Sequence, residues 1–240
     1  MLQRLVFTLL LGAGIGMGIN QTTHADTHTM LKPFTIDYSS QYKLGWFSID
    51  IDATRQLSQQ SDGTWTLDFN AEASVATVKE NSQFKLSKDG KTIIPMEYRF
   101  RATGLISEDD RTLSFNAAQK TVKDKESDKF YDNSWQDGIQ DNATYMLQAS
   151  IALAEGKKEF SFPVFEKNKT KVFTYRVVSE DTVKIKAGTF DAYRVMQVRK
   201  DKDREIYAWF AKQDGFPMIL LRDKKKGKLS YQIEASKLSF

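Results

Sequence analysis

Residues 46–54 decide the fold class, and they read W-F-S-I-D-I-D-A-T. Apolar side chains at positions 47, 49, 51 and 53 alternate with polar ones at 48, 50 and 52. Successive side chains of a β-strand point to opposite faces of a sheet, so this spacing predicts a strand with one buried face. Residues 65–73, W-T-L-D-F-N-A-E-A, repeat the alternation after the turn signal Ser61-Asp62-Gly63. We therefore predict that the two segments form a β-hairpin.

Short strand-like segments continue along most of the chain, and one segment differs from them. Turns such as Lys88-Asp89-Gly90-Lys91 separate the strands, and such short connections favour antiparallel neighbours. Residues 142–155 instead carry apolar side chains at helical spacing, with Asp141 or Asn142 as the capping residue and Gly156 just after the end. The prediction is a mainly β protein, a curved antiparallel sheet or half-open barrel of about ten to twelve strands with one central helix at about 142–155. The helix would either plug the core or gate a cavity.

The N-terminal segment has the features of a secretory signal peptide. Arg4 precedes an apolar run that extends from Leu5 to Ile19, and Thr23-His24-Ala25 offers small residues for cleavage. That run is short for a membrane anchor, which needs about 20 apolar residues, and no later segment approaches this length. We predict a signal peptide at residues 1–25 that is cleaved near Ala25, a flexible tail at 26–33, a single β-rich domain at 34–240 and a periplasmic location.

The composition argues against several classes of function. The chain has no cysteine, which excludes disulfides, thiolate metal sites and cysteine nucleophiles. Its two histidines, His24 and His28, lie at or near the predicted leader, so catalysis by histidine and histidine-based zinc sites are not expected. The formal net charge of +4 is a mild excess, and export argues against a nucleic acid partner. We expect a protein that is not an enzyme, with no metal and no cofactor.

The C-terminal third carries motifs of a known family. Residues 183–195 read V-K-I-K-A-G-T-F-D-A-Y-R-V, residues 206–211 read I-Y-A-W-F-A, and residues 215–218 read G-F-P-M. These motifs resemble the bacterial exported family known as domain of unknown function DUF3108. The resemblance implies a curved antiparallel sheet with a helix on its concave side, and it supplies no catalytic residues. This architecture is similar, by analogy of fold, to that of periplasmic carriers of lipid or lipoprotein.

Our leading hypothesis is a periplasmic protein that binds a lipid or another apolar ligand in a groove of the curved sheet. The groove would combine the apolar face of the first hairpin, the helix, and a strand that is apolar on both faces. A strand of this last kind must be covered on both sides, by protein or by a ligand. The candidate groove residues are Phe47, Ile49, Trp65, Leu67, Phe69, Met146, Leu147, Tyr207 and Trp209.

Three alternatives remain open from the sequence. A structural or interaction protein of the cell envelope would have a solid core and bind a protein partner through a sheet edge or the basic turn Lys224-Lys225-Lys226. A polysaccharide hydrolase would need paired carboxylates, for which Asp50 and Asp68 are candidates. An outer-membrane barrel is suggested by the terminal Phe240, but alternate positions before it include Ser236 and are not continuously apolar.

Overall fold

The computed structural model describes the chain from residue 31, which lies within the predicted tail, to residue 240, with short gaps. The predicted signal peptide and residues 26–30 of the tail lie outside the described residues, as do the side chains of residues 42–48. The described residues are 31–44, 47–105, 110–201, 203–213 and 215–240.

Antiparallel strands dominate the described residues, as the alternating segments predict. The one α-helix of this part, α1, spans Tyr145–Ala154, and a short 3-10 turn spans Asp132–Ser134. The strands are β1 (Phe34–Leu44), β2 (Phe47–Gln59), β3 (Trp65–Ala73), β4 (Ala76–Leu86), β5 (Ile93–Gly104), β6 (Arg111–Asn116), β7 (Thr121–Asp124), β8 (Lys129–Phe130), β9 (Glu159–Glu166), β10 (Lys169–Ile185), β11 (Gly188–Val198), β12 (Arg204–Ala211), β13 (Met218–Lys225) and β14 (Lys228–Ser239).

All fourteen strands belong to one sheet, and the two halves of the chain meet at its centre. The strand order is β8-β7-β6-β5-β4-β3-β2-β1-β14-β13-β12-β11-β10-β9. Each half is therefore an antiparallel meander, and the first strand pairs with the last, with Thr35 opposite Ser239. The predicted hairpin is confirmed, because β2 pairs with β3 from Ile51 opposite Ala73 to Gln59 opposite Trp65.

The two edges of the sheet approach each other across a seam. Phe165 of β9 contacts Phe115 of β6 and Tyr131, with ring centroids 6.2 Å and 5.2 Å apart. The Arg111 guanidinium in β6 donates a hydrogen bond to the side-chain oxygen of Asn168, beside β10. At this seam the strands β6 and β9 are joined by side chains and not by a ladder, and a single backbone bridge links Gln140 to Val164 of β9. The predicted half-open barrel is confirmed as a single curled sheet.

The predicted number of strands, ten to twelve, is wrong because the sheet has fourteen. Strand β1 was not predicted, since Ser39, Ser40 and Gln41 weaken its strand character, although Ile36 and Tyr38 alternate as buried residues. Strand β8 has only two residues, and a turn separates it from β7, so it has almost no signal in the sequence.

The helix occupies the interior of the curled sheet. It begins three residues later than predicted, at Tyr145, and its residues through Leu153 are buried on every side. A helix that is buried all round packs as part of the core. Ile93 N–H donates to the side-chain oxygen of Gln148 at 2.7 Å, and Ser150 donates to the carbonyl of Phe216 at 2.8 Å. These bonds fix the helix to both halves of the barrel, as expected for a plug.

The hairpin turns define two ends of the barrel. Turns at residues 60–64, 87–92 and 212–217 lie at the end that we call the closed end. Turns at 74–75, 167–168 and 226–227 lie at the opposite end, which we call the open end. A cluster of buried side chains fills the closed end and consists of Leu31, Leu57, Trp65, Leu67, Phe84, Ile93, Leu147 and Ile151.

Candidate ligand-binding cavity

A cavity of about 170 Å³ lies between the start of the helix and the open end of the barrel. Strands from both halves of the chain form its walls, because β1 and β14 pair at the centre of the sheet. Most of its lining side chains are apolar. The lining residues are Tyr38, Ile51, Arg55, Leu67, Phe69, Ala71, Glu80, Asn142, Ala143, Tyr145, Met146, Ile206, Met218, Leu221, Asp223, Tyr231 and Ile233.

The alternation of the first hairpin builds one wall of this cavity. Leu67, Phe69 and Ala71 follow one another on the inward face of β3, and Ile51 lies on the inward face of β2. The small side chain of Ala71 leaves space toward the open end, where a larger residue would fill it. The opposite wall comes from β12, β13 and β14. The cavity therefore depends on strands that are far apart in the sequence.

Arg55 places a positive charge on the wall of this largely apolar cavity. Its Nη2 atom donates a hydrogen bond to the Ala143 carbonyl at 2.9 Å, which ties β2 to the segment before the helix. The Tyr38 hydroxyl donates to the Met218 carbonyl at 2.7 Å. Burial raises the pKa of Tyr38 to about 12, against an opposing effect of Arg55, so this phenol stays neutral and keeps its proton for donation.

An ion pair supports the cavity near the open end. Arg204 Nε lies 3.0 Å from Asp223 Oδ1 and 3.1 Å from Asp223 Oδ2, and the Asp223 residue is 5% exposed. A second nitrogen of the same guanidinium contacts Asp223 Oδ2 at 2.5 Å. Such a two-pronged pair holds both side chains in one geometry. Arg204 therefore neutralises the buried Asp223 carboxylate in the cavity wall.

The segment before the helix is held by a buried carboxylate. Asp141 Oδ1 accepts hydrogen bonds from the backbone N–H groups of Ala143 and Thr144, both at 2.8 Å. Its other oxygen accepts a hydrogen bond from the Ser82 hydroxyl in β4 at 2.6 Å. Burial raises the pKa of Asp141 despite these donors. Asp141, one of two predicted capping residues, thus sets where the helix begins and where Asn142 and Ala143 meet the cavity.

Three of the nine predicted groove residues line the cavity. They are Leu67 and Phe69 from β3 and Met146 from the helix. Trp65 and Leu147 are instead buried in the closed-end cluster, where Trp65 stacks on Phe84 with ring centroids 6.5 Å apart.

The remaining predicted residues of the first hairpin lie beyond this lining. Ile49 is half-buried and stands two residues before Ile51, nearer the open end. Phe47 begins strand β2, and its side chain lies outside the described residues.

Tyr207 and Trp209 lie on the other face of the sheet, away from the cavity. Ile206, Ala208 and Phe210 of the same strand are the inward residues, and Ile206 lines the cavity. The two aromatic rings are covered by cations, with Arg194 over Tyr207 at 5.7 Å and Arg222 over Trp209 at 5.1 Å. The expectation that both faces of this strand are covered holds. Tyr207 and Trp209, both predicted as groove residues, therefore do not line this cavity and lie in a separate groove on the other face.

Sequence reasoning missed the residues that come from distant strands, namely Met218, Leu221, Tyr231 and Ile233. It also missed Arg55, for which the sequence does contain a signal. The alternation of β2 runs from 47 through 53 and continues to 55, so it predicts that this arginine points inward. A charged residue in the inward register of a strand is a sign of a polar group inside the barrel.

The carboxylates considered for hydrolysis lie on the face of the first hairpin that points away from the cavity. Asp50 accepts a hydrogen bond from Gln41 at 3.0 Å, and Asp68 accepts one from Asn81 at 2.8 Å. Both bonds join neighbouring strands across the polar face. Among the residues that the structure describes, no group of three or more His, Cys, Asp or Glu side chains is arranged to hold a metal ion.

The sequence of the chain identifies the family to which it belongs. Residues 34–233 match the family described as protein of unknown function (DUF3108). The chain belongs to this family. A search of curated protein sequences finds no relative of the chain.

Two solved structures that are similar to the chain have low sequence identity with it. The β-barrel-like protein of domain of unknown function DUF1849 from Brucella abortus is similar with a TM-score of 0.58 at 13% identity, over 88% of this chain and 99% of that one. A predicted exported protein with a YmcC-like fold from Bacteroides fragilis has a TM-score of 0.35 at 9% identity, over 86% of this chain and 95% of that one. The first likeness supports the β-barrel-like fold of this DUF3108 protein.

The helices described in the DUF3108 chain are α1, with 10 residues, and the short 3-10 turn. Within the described ranges, none has both the length and the apolar character that a transmembrane helix needs.

Proposed function

We propose that this protein binds an apolar chain, such as the hydrocarbon chain of an envelope lipid, in the cavity between the helix and the open end. The observation that carries the proposal is a mainly apolar cavity of about 170 Å³ inside a barrel whose closed end is filled. Ligand sites are commonly apolar hollows with a few placed polar groups. Arg55 and Tyr38 are such groups here.

The size of the cavity limits what part of a ligand it holds. A buried apolar cavity of about 150 Å³ is enough to bind benzene in another protein. The cavity here matches a short length of hydrocarbon chain, with the rest of the ligand extending toward the open end. Each methylene buried from water stabilises a complex by about 0.8 kcal/mol, so binding of this kind requires no catalytic group. The proposed function is therefore non-enzymatic.

We propose further that the protein works in the periplasm after export. The N-terminal sequence supports this, because a positive residue, an apolar run and small residues at 23 and 25 occur in the order of a signal peptide. An envelope compartment would also supply lipids as ligands. Cleavage near Ala25 is part of the same proposal.

A second candidate function is that of an envelope protein that binds a protein partner. The groove on the other face of the sheet favours it, because Arg194, Arg222 and Lys224 surround Tyr207 and Trp209 there. Arginine and aromatic side chains are enriched where proteins bind one another. The cavity is not explained by this alternative, which is why we place ligand binding first.

Filling the cavity tests the proposed function. Ala71→Phe adds a ring on the inward face of β3, where Ala71 lines the cavity. We expect the variant to fold, since the space already exists, and to lose at least about tenfold in affinity for 1-dodecanol because about two methylenes are displaced. Isothermal titration calorimetry measures the affinity, and thermal unfolding checks the fold.

The matched control is Asn70→Phe, which adds the same ring to the adjacent, exposed position of β3. This variant should bind 1-dodecanol as the parent protein does. Equal affinity of the parent, Ala71→Phe and Asn70→Phe proteins would contradict the proposal, as would a parent protein that does not bind 1-dodecanol at all.

A further inference from the structure

A second cavity, of about 780 Å³, adjoins the first at the seam of the barrel. It lies between strands β5 to β7 and the turn that joins β9 to β10. Asn142 lines both cavities, so a ligand at the open end could extend from one into the other. The second cavity is lined mostly by polar and charged side chains, together with Tyr98, Phe100, Leu113, Tyr131 and Phe165.

A hydrogen bond marks the boundary between the two cavities. Glu80 lines the apolar cavity, Tyr98 lines the polar one, and the Tyr98 hydroxyl donates to Glu80 Oε2 at 2.7 Å. Burial raises the pKa of Tyr98 well above its ordinary value, and the Glu80 charge adds to this effect. The phenol therefore stays a donor. The boundary is a fixed polar contact beside Asn142, with apolar walls on one side and charges on the other.

The carboxylates of the polar cavity already have donors. Asp124 lies 3.1 Å from Arg111 Nε and accepts the Glu126 N–H at 3.2 Å. Glu126 accepts the Thr112 hydroxyl at 2.7 Å and lies 3.1 Å from Arg101. Glu166 is 3.3 Å from Lys171, and Asp110 is 3.4 Å from Arg101. Each of these four carboxylates thus lies beside a cation of the protein, namely Arg101, Arg111 or Lys171.

Two cations of the same cavity are not compensated in this way. Lys129 and Lys167 line it and are exposed, and neither lies within ion-pairing distance of a carboxylate in the described part of the chain. The Lys129 ammonium lies over the Tyr131 ring, 5.2 Å from its centroid. Lysine is a common ligand of phosphate groups in proteins. The charge left for a ligand in the polar cavity is therefore positive.

We propose that the polar cavity binds the anionic head group of an amphiphile whose hydrocarbon chain occupies the apolar cavity. The inference rests on the proposed function and narrows its ligand class to amphiphiles with a phosphate-like head. Lys129 and Lys167 contact the head group, and Asn142 lies where head and chain join. The two cavities together give space of the size that ligand sites usually have, about 300–1,000 Å³.

Two amphiphiles with the same hydrocarbon chain and different head groups test the two parts of the proposed ligand separately. The parent protein and the double variant Lys129→Gln/Lys167→Gln are titrated by calorimetry with dodecyl phosphate, 1-dodecanol and inorganic phosphate, each amphiphile below its micelle concentration. We expect the parent to bind dodecyl phosphate about tenfold more tightly than 1-dodecanol, since two exposed ion pairs contribute on that scale. The double variant should lose this preference and keep its affinity for 1-dodecanol. The control Lys184→Gln/Lys237→Gln removes two exposed lysines of β10 and β14 and should keep the preference.

The outcomes distinguish this inference from the proposed function. Equal affinity of the parent for dodecyl phosphate and 1-dodecanol overturns the head-group site and leaves chain binding in place. An unchanged preference in the double variant overturns it as well. Inorganic phosphate that binds as tightly as dodecyl phosphate points to an anion site without a chain and overturns the two-part ligand. No binding of either amphiphile overturns both proposals.

Discussion

The closed and open ends of the barrel interior are built from the same strands and differ in how they are filled. At the closed end, Leu57, Trp65 and Phe84 are each at most 2% exposed and pack against the helix. Toward the open end, Ile51 of β2 and Ala71 of β3 face a cavity. One alternating pattern thus produces a solid core in one half of the hairpin and a hollow in the other.

The position of the helix accounts for much of this difference. Leu147 and Ile151 insert into the closed-end cluster, whereas Tyr145 and Met146 border the cavity. Asp141 fixes the start of this segment through Ser82, so the helix does not extend further toward the open end. The alternation of a strand therefore decides which of its faces points into the barrel. The placement of the helix and the size of the side chains decide whether the barrel interior is filled.

Matched leucine substitutions at the two ends test this contrast with the largest expected effect. Leu57→Ala removes a side chain that is 1% exposed in the closed-end cluster, and we expect a loss of about 4 kcal/mol in the free energy of unfolding. Leu221→Ala removes a side chain that already borders the cavity and should cost about 2 kcal/mol. Urea denaturation of each variant measures the difference.

Binding measurements on the same two variants distinguish an effect on ligand affinity from an effect on stability. Leu221→Ala should weaken 1-dodecanol binding because it enlarges the cavity and removes a contact, whereas Leu57→Ala should leave binding unchanged in the folded fraction. Equal losses of stability at the two positions would show that the two ends are packed alike. Weaker binding in Leu57→Ala alone would contradict the placement of the ligand toward the open end.

A smaller effect on the free energy of unfolding is expected from the buried carboxyl group of Glu166, at the seam near the open end. Burial raises the pKa of Glu166 above its ordinary value of 4.5, against the opposing charge of Lys171. The folded protein therefore holds this proton more tightly than the unfolded chain. The resulting stabilisation is complete below the ordinary pKa and is lost as the pH rises through the raised pKa. Glu166→Gln should remove this dependence, so the parent should lose urea resistance relative to the variant as the pH rises from below 4.5 through the raised pKa.

The control for this prediction is Glu159→Gln, which changes an exposed carboxylate at the other end of β9. Comparing the two variants isolates the effect of burial from that of losing one negative charge. A stability difference between parent and Glu166→Gln that stays constant across the pH range would contradict the prediction.

Local patterns were sufficient to predict the class of fold. The alternation at 46–54 and 65–73 predicted strands β2 and β3, and helical spacing predicted a helix within 142–155, where the structure has Tyr145–Ala154. The pairing of β1 with β14 joins residues about 200 positions apart, and no local pattern contains it. The count of strands failed where strand character is weak, in β1 and in the two-residue β8.

The candidate site was predictable only in part, for a related reason. Leu67 and Phe69 were found because their strand has one polar and one apolar face. Strand β12 is apolar on both faces, so its sequence does not tell which of Trp209 and Ile206 points inward. The cavity itself depends on a small residue, Ala71, facing residues of β13 and β14, and that meeting is set by tertiary packing.

The most direct test of the central claim is native mass spectrometry of the mature protein purified from its own cells, followed by organic extraction. The account predicts a mass excess of one amphiphile per chain, and an extract that contains a hydrocarbon chain with an anionic head group. A spectrum of the bare chain, together with no saturable binding of 1-dodecanol or dodecyl phosphate by calorimetry, would contradict it and favour the protein-partner alternative.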